Sequence, residues 1–265
     1  MSDGIALSIS QFIDAWRLFG QAAPGSRVES TAGVNYVFTG LPIPFFNVAV
    51  LTGRQLSGAA LAAHGHGATR WASDKGAPWL LIVTNDALEP GIDAPPVLDG
   101  CGLAPLLPMT GMIAQAVSPA AGVPDGLLLD EPQDDEGCTA MIDVNSAAYG
   151  MDLSASRSAY GSRAFWADHV PVLGRADGVA ATSAAVLMAG GYRYVALVAT
   201  NPAYQKRGFA EAAMRRALTI AEERYGPCPT FLHATDAGRP IYARMGYEAV
   251  SSHTCFIDKR FLAGH

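Results

Sequence analysis

The residues whose types and spacing can do chemistry cluster in one stretch, Leu197-Val-Ala-Thr-Asn-Pro-Ala-Tyr-Gln205-Lys-Arg-Gly-Phe-Ala210. An apolar run ends at Thr200, a short loop follows, and a helical pattern opens at Gly208. A helix start of this kind leaves several backbone N–H groups without intrahelical partners. With the positive end of the helix dipole they make a site for phosphate. Gly208 has no Cβ to hold off an anion, Ala210 is nearly as small, and Lys206 and Arg207 add positive charge at the mouth. Other constellations are weaker. His64 and His66 lie on an Ala-rich stretch without nearby carboxylates, and Cys101, Cys138, Cys228 and Cys255 are scattered with no CxxC pair. Neither a metal site nor a disulfide scaffold is expected from them.

The elements that must position the 197–210 stretch follow from periodicity. In the C-terminal half the pattern predicts helices over 136–149 and 156–167. Strands over 169–174 and 179–189 are joined by an Asp177-Gly178 hairpin turn. The run YRYVALVAT over 192–200 is nearly all apolar or aromatic, as fits a strand covered on both faces. A helix over 208–225 comes next, with Met214, Ala217, Leu218 and Ala221 making one apolar stripe and Glu211 and Arg215 pairing on the wet side. Pro227 and Pro229 end it; a strand over 230–234, a short helix over 238–245 and a strand over 247–258 complete the half. Gly246 suits the positive φ of a helix C-terminus.

The N-terminal half reads as a helix over 9–19, strands over 27–39 and 45–52, an Ala-rich helix over 56–71, and strands over 79–84 and 103–114. Residues 86–102, rich in Pro, Gly and Asp, read as a long hairpin connection. The element order repeats that of the second half, and Cys101-Gly102-Leu103 before a strand parallels Met245-Gly246-Tyr247. An internal duplication is therefore expected. The Pro- and Gly-rich segment 118–126 breaks both helix and ladder patterns, dividing the chain into lobes 1–117 and 127–265.

Composition narrows the class. At 265 residues and 50% hydrophobic, the chain can bury too much apolar surface to be disordered. Eighteen Lys and Arg against 24 Asp and Glu give a net charge of −6, the wrong sign for a duplex-binding protein. Uninterrupted apolar runs are too short to span a bilayer, and the N-terminus lacks the basic lead of a signal peptide. The expectation is a cytoplasmic protein with neither nucleic acid nor membrane as partner, and with a homodimer as its candidate assembly.

Two motifs make the reading specific. Gln205-Lys206-Arg207-Gly208-Phe209-Ala210 after a strand resembles the acetyl-CoA motif of the GCN5-related N-acetyltransferase (GNAT) superfamily, Gln/Arg-x-x-Gly-x-Gly/Ala. Ile241-Tyr-Ala-Arg-Met-Gly-Tyr247 is similar to that family's second signature, Leu-Tyr-x-x-x-Gly-Phe. About 35 residues separate them, room for one helix and one strand. Either motif alone is a weak signal; both, at this spacing, are a strong one. The strict match covers about 192–250.

The resemblance implies a mixed α/β (α+β) fold of two GNAT-like lobes, each a mixed, mostly antiparallel sheet flanked by helices. In the C-terminal lobe the parallel strands over 192–200 and 230–234 would splay to admit acetyl-CoA as co-substrate, with no metal. Backbone groups of Leu197, Val198 and Ala199 would pair with the pantetheine arm, and N–H groups from Gln205, Lys206, Arg207, Gly208, Phe209 and Ala210 would hold the pyrophosphate. Tyr242 would be the general acid for the departing thiolate, a phenol being able to give up its proton when held against sulfur. Many family members place a Glu on the strand before the pyrophosphate loop, where this chain has none. His233 has a suitable pKa to act as base through water, although it can equally be a core histidine. Asp236 stands where the family often has an Asn that contacts pantetheine; as a carboxylate it can instead cap the next helix. Arg239 is placed to meet a CoA phosphate or solvent. The N-terminal lobe resembles a degenerate copy: Gly53-Arg-Gln-Leu-Ser-Gly58 does not reproduce the phosphate pattern, and Leu98 stands where Tyr242 does. Tyr36, Phe38, Phe45 and Phe46 are candidates to line an acceptor pocket or to be core.

The activity implied is transfer of acetyl to a primary amine, with a small-molecule acceptor favoured over a protein or peptide. An acyl-CoA sensor without turnover is the competing class. A Rossmann nucleotide module fits poorly, because no GxGxxG follows a strand.

Overall fold

A computed structural model describes residues 2–119 and 122–264. Ala120 and Ala121, inside the expected 118–126 linker, lie outside the described residues, as do Met1 and His265. In chain order the elements are α1 (Ser2–Ala22), β1 (Arg27–Thr31), β2 (Val34–Phe38), β3 (Asn47–Leu51), α2 (Gly58–Trp71), β4 (Leu80–Thr84), α3 (Ala94–Asp99), β5 (Leu103–Ala114), β6 (Leu127–Asp130), α4 (Asp135–Tyr149), α5 (Leu153–Tyr160), β7 (Val170–Ala176), β8 (Val179–Ala189), β9 (Tyr192–Thr200), α6 (Phe209–Tyr225), β10 (Thr230–Ala234), α7 (Arg239–Arg244) and β11 (Glu248–Asp258).

Two compact units form, and neither is a continuous stretch. One comprises Met1–Met112, His233–Tyr242 and Glu248–His265; the other comprises Ile113–Leu232 and Ala243–Tyr247. This differs from the continuous lobes 1–117 and 127–265 expected from the Pro- and Gly-rich break. The cause is β11, which pairs antiparallel with β4 from His253↔Thr84 to Ile257↔Leu80 and so is built into the first unit.

The first unit orders its strands β1-β2-β3-β4-β11-β5. β3 and β4 are parallel, Val48↔Leu80 to Val50↔Ile82, with α2 in the crossover. Both strands, NVAVL and LLIVT, are buried at every residue, as continuous apolar runs in parallel pairs should be. The single strand expected over 27–39 is a hairpin, because Ala32-Gly33 reverses the chain with Gly33 at φ 84°. Residues 86–102 are not a hairpin connection either. They contain α3, whose Pro95 and Pro96 fall in the first turn, where a missing N–H removes no helical bond. Strand β11 also stands between β4 and β5. On α1 the rings of Phe12 and Trp16 stack with centroids 4.1 Å apart on the buried face. Trp79, fully buried, donates its indole N–H to Asp258 at 3.1 Å.

The second unit orders its strands β10-β9-β8-β7-β6. β6 to β9 form an antiparallel meander, and the expected Asp-Gly turn joins β7 to β8 with Asp177 at φ 52° and Gly178 at φ 75°. Positive φ at both residues matches the strand twist. The four-residue edge strand β6 had no clear sequence signal. α5 stops at Tyr160 instead of running on to 167; it starts from Asp152, whose carboxylate accepts the Ala155 N–H at 2.7 Å. β9 passes to the parallel strand β10 through α6, whose Met214, Ala217 and Ala221 are wholly buried against the sheet. Among the described residues no helix is long and apolar enough to cross a membrane.

Candidate functional site

The loop of the second unit where the resemblance implies a phosphate site joins β9 to α6. After β9, Asn201 accepts the Ala203 N–H and turns the chain; Lys206 adopts φ 62° and Gly208 φ 79°. Gly208 is the residue before α6, and no side chain caps the helix there, so its first amides face outward. At that φ an L side chain is strained, and among the described residues the one atom within 4 Å of a Cβ would be Pro124 Cγ at 3.6 Å. Buried Phe209 anchors the helix start in a small core with Leu127, Ala176, Ala181 and Ala212. The side chains of Gln205, Lys206 and Arg207 are exposed, and the Arg207 guanidinium stands 5.2 Å from the Tyr204 ring centroid.

A carboxylate in the first turn, Glu211, is unfavourable for an incoming anion. Here it is neutralised twice, by Arg215 at 2.9 Å and Arg244 at 3.6 Å. Uncapped amides, a glycine at positive φ, two exposed cations and a compensated acid together fit a diphosphate.

The counterpart loop of the first unit is different. Ser57 caps α2 by accepting the Ala60 N–H at 3.2 Å, so one of its first-turn amides is already taken by a side chain. Leu98 is fully buried in the core of that unit. Of the aromatic candidates, Tyr36 and Phe46 are buried, Tyr36 stacked on Trp71, while Phe38 borders a cavity of about 230 Å³ with Pro42 and Pro78.

Strand β9 carries a bulge where the sequence places the cofactor arm. The β8–β9 register shifts between Ser183 and Ala185, and Leu197 takes φ 51°. The described pairing of β9 with β10 ends at Phe231↔Tyr194, so the strands part before Leu197. The carbonyls of the bulged segment are all held by hydroxyls: Ser183 donates to Leu197 at 3.0 Å, Tyr149 to Val198 at 2.9 Å and Thr182 to Ala199 at 2.7 Å. None of these three donors was picked out by sequence, because each is a lone hydroxyl far along the chain from its partner.

The remaining candidates lie in the first unit. Tyr242, partly buried on α7, lays its ring on the backbone of Gly238, where a Cβ would come within 2.8 Å of Cε2. Asp236 does not cap α7: the Thr235 carbonyl closes that turn by accepting the Gly238 and Arg239 N–H groups, both at 3.0 Å. Asp236 and Arg239 are exposed, and among the described residues their side chains carry no hydrogen bond. His233 is partly buried; its Nε2 lies 3.0 Å from Ser8 Oγ and its ring meets Phe12 and His253 at 4.6 and 4.8 Å between centroids. His253 Nε2 lies 2.9 Å from both Ser8 and Ser251, and its Nδ1 lies 3.1 Å from Thr84. Burial, with the neighbouring His253, holds the His233 pKa well below its ordinary value; burial alone pushes His253 down to about 4. Both imidazoles are neutral at neutral pH. The core alternative for His233 is thus partly realised, with a side-chain network in place of a backbone bond. Among the described residues no group of three or more His, Cys, Asp or Glu side chains is arranged to hold a metal ion.

Comparison with known proteins agrees with this geometry. Residues 139–250 match the model of the acetyltransferase (GNAT) domain family. Among solved structures, a GCN5-related N-acetyltransferase from Kribbella flavida superposes with a TM-score of 0.68 at 21% identity, covering 94% of this chain and 95% of that one. A GCN5-related N-acetyltransferase from Sphaerobacter thermophilus gives 0.58 at 15% identity, over 80% and 72% of the two chains. A tandem GNAT protein from the clavulanic acid biosynthesis pathway gives 0.55 at 15%, over 89% and 83%. At these identities the likeness is one of fold. A search of the curated proteins finds no match to this chain.

The mixed sheet flanked by helices is the fold of the GNAT acetyltransferase structures, and the family match falls mostly on the second unit.

Proposed function

We propose that the protein transfers acetyl from acetyl-CoA to a primary amine of a small molecule by direct attack on the thioester. The observation that carries the reading is the uncapped amide end of α6 at Gly208, with Glu211 compensated by two arginines. The amides of Gln205 to Ala210 hold the diphosphate, Lys206 and Arg207 add charge, and Arg239 meets a further phosphate. The bulged segment Leu197–Val198–Ala199 presents backbone groups to the pantetheine arm, with Asp236 a contact on the same arm. Acetyl-CoA supplies the activated acyl carbon and a thiolate leaving group. Tyr242 holds at its hydroxyl the proton that the departing sulfur needs. β9 carries no carboxylate, so an amine that arrives partly neutral gives its proton to a water chain, with His233 the candidate base along it. The first unit acts as a degenerate, substrate-shaping copy, consistent with its Ser57-capped helix and buried Leu98.

The missing carboxylate on β9 favours a second reading, a CoA-binding sensor without turnover. One experiment separates the two: pure protein is incubated with acetyl-CoA and a panel of small amines and one lysine peptide, with thiol release followed over time. Turnover of a small amine supports the proposal, and turnover of the peptide alone moves the acceptor to protein. CoA binding with no thiol release from any amine supports the sensor.

A further inference from the structure

The three hydroxyls on the bulge of β9 are not equivalent. Ser183 and Thr182 are fully buried within β8, and no water can replace their bonds to Leu197 and Ala199. Tyr149 ends α4, with Gly150 beyond it at φ 62°; the residue is 58% exposed, while its hydroxyl end, which donates to Val198 at 2.9 Å, is desolvated enough to raise the phenol pKa. A hydroxyl buried within a strand that leaves its acceptor costs the full desolvation of both groups, whereas a phenol on a mostly exposed ring can turn out to water and lose only the net worth of one hydrogen bond.

Resting on the reading that the pantetheine arm pairs with residues 197–199, we propose that Tyr149 is a displaceable stopper on that edge. In the free protein its phenol occupies the Val198 carbonyl. An amide N–H of the arm takes over the carbonyl, one donor replacing another, and the released phenol passes to solvent. Val198 is thereby kept satisfied in both states, and the nucleotide half of the coenzyme, which engages the α6 amides, is indifferent to the exchange. Tyr149 is thus a positioning residue that sets how readily the arm enters.

The test compares wild type with Tyr149→Phe by calorimetric titration of two probes: coenzyme A, and 3′-phospho-ADP, which lacks the arm. Removing the hydroxyl should tighten coenzyme A by about two- to tenfold, the range of one net hydrogen bond, and leave 3′-phospho-ADP unchanged. Tyr149→Leu should give the same selective gain, and melting curves of both variants confirm folding. Coenzyme A affinity that is unchanged or weaker in the variants overturns the stopper while leaving the cofactor site intact. Equal gains for both probes also overturn it. If wild type binds neither probe, the cofactor reading itself falls and the stopper with it.

Discussion

Ser8 reaches across 225 residues of sequence to put its Oγ 3.0 Å from Nε2 of His233. The same oxygen receives the Ser251 hydroxyl proton at 2.6 Å and lies 2.9 Å from Nε2 of His253. A serine has one proton to give. It can donate to one imidazole only, and the other must present its own N–H. The Nε2 protons of His233 and His253 are therefore complementary: one ring carries the proton where the other does not. Any change of tautomer at His233 is felt at His253, although the two lie on separate strands.

The first prediction concerns stability against pH. His253 has a folded pKa of about 4 against about 6.5 unfolded, and His233 is shifted in the same direction. Between these values the unfolded chain binds more protons, so stability is fully present above pH 6.5 and falls as the pH drops towards 4. The slope should be about 1.4 kcal/mol per pH unit from His253, with His233 adding to it. Urea unfolding at pH 7.5, 6.0 and 5.0 measures it; stability that stays level over that range contradicts the burial of two neutral rings.

Ser8→Ala should cost about 1–3 kcal/mol, because it strips partners from two imidazoles and from Ser251 at once. Chemical denaturation at pH 7.5 gives the value. Nitrogen NMR of the two rings gives a second readout, since without Ser8 their Nε2 protons need no longer be complementary. An unchanged pair of spectra would show the rings to be independent.

Gly208→Ala places an L residue at φ 79° on the phosphate loop. The backbone penalty of about 1–2 kcal/mol should appear as a lower melting temperature. Coenzyme A should bind at least tenfold more weakly, while the β9 arm contacts stay in place. Undiminished affinity by titration would remove the α6 terminus from the site.

Tyr242→Phe should lower kcat by about 10²–10⁴-fold, the usual weight of a proton donor, with coenzyme A affinity kept within a few-fold. Gly238→Ala supplies an independent check. Its new methyl would sit 2.8 Å from Cε2 and 3.2 Å from the hydroxyl of Tyr242, displacing the phenol while keeping it chemically intact. If kcat survives both changes, the sulfur is protonated by another group.

The loop between β9 and α6 was legible in the sequence because everything that shapes it is local: a strand end, a glycine and a helix start within ten or so residues. The extents of β8, β9 and β10 were legible for the same reason, being continuous apolar runs cut off by Gly or Pro. What could not be read was pairing at a distance. The place of β11 beside β4 depends on backbone bonds across the chain, and the two Pro of α3 imitate a loop. The carbonyl partners on β9 and the Ser8 network are single hydroxyls, which carry no periodicity. Asp236 looked like a cap because of its residue type, yet the Thr235 carbonyl closes that turn first.

The insertion of β11 beside β4 has a consequence for how the protein is made. On the ribosome, β4 emerges long before β11, so its free edge must wait through synthesis of the entire second unit. During that interval LLIVT is an open, sticky template for neighbouring nascent chains. Completion of the first unit is thus a late event, and slow or stalled translation of the segment between them should favour misassembly over a finished monomer.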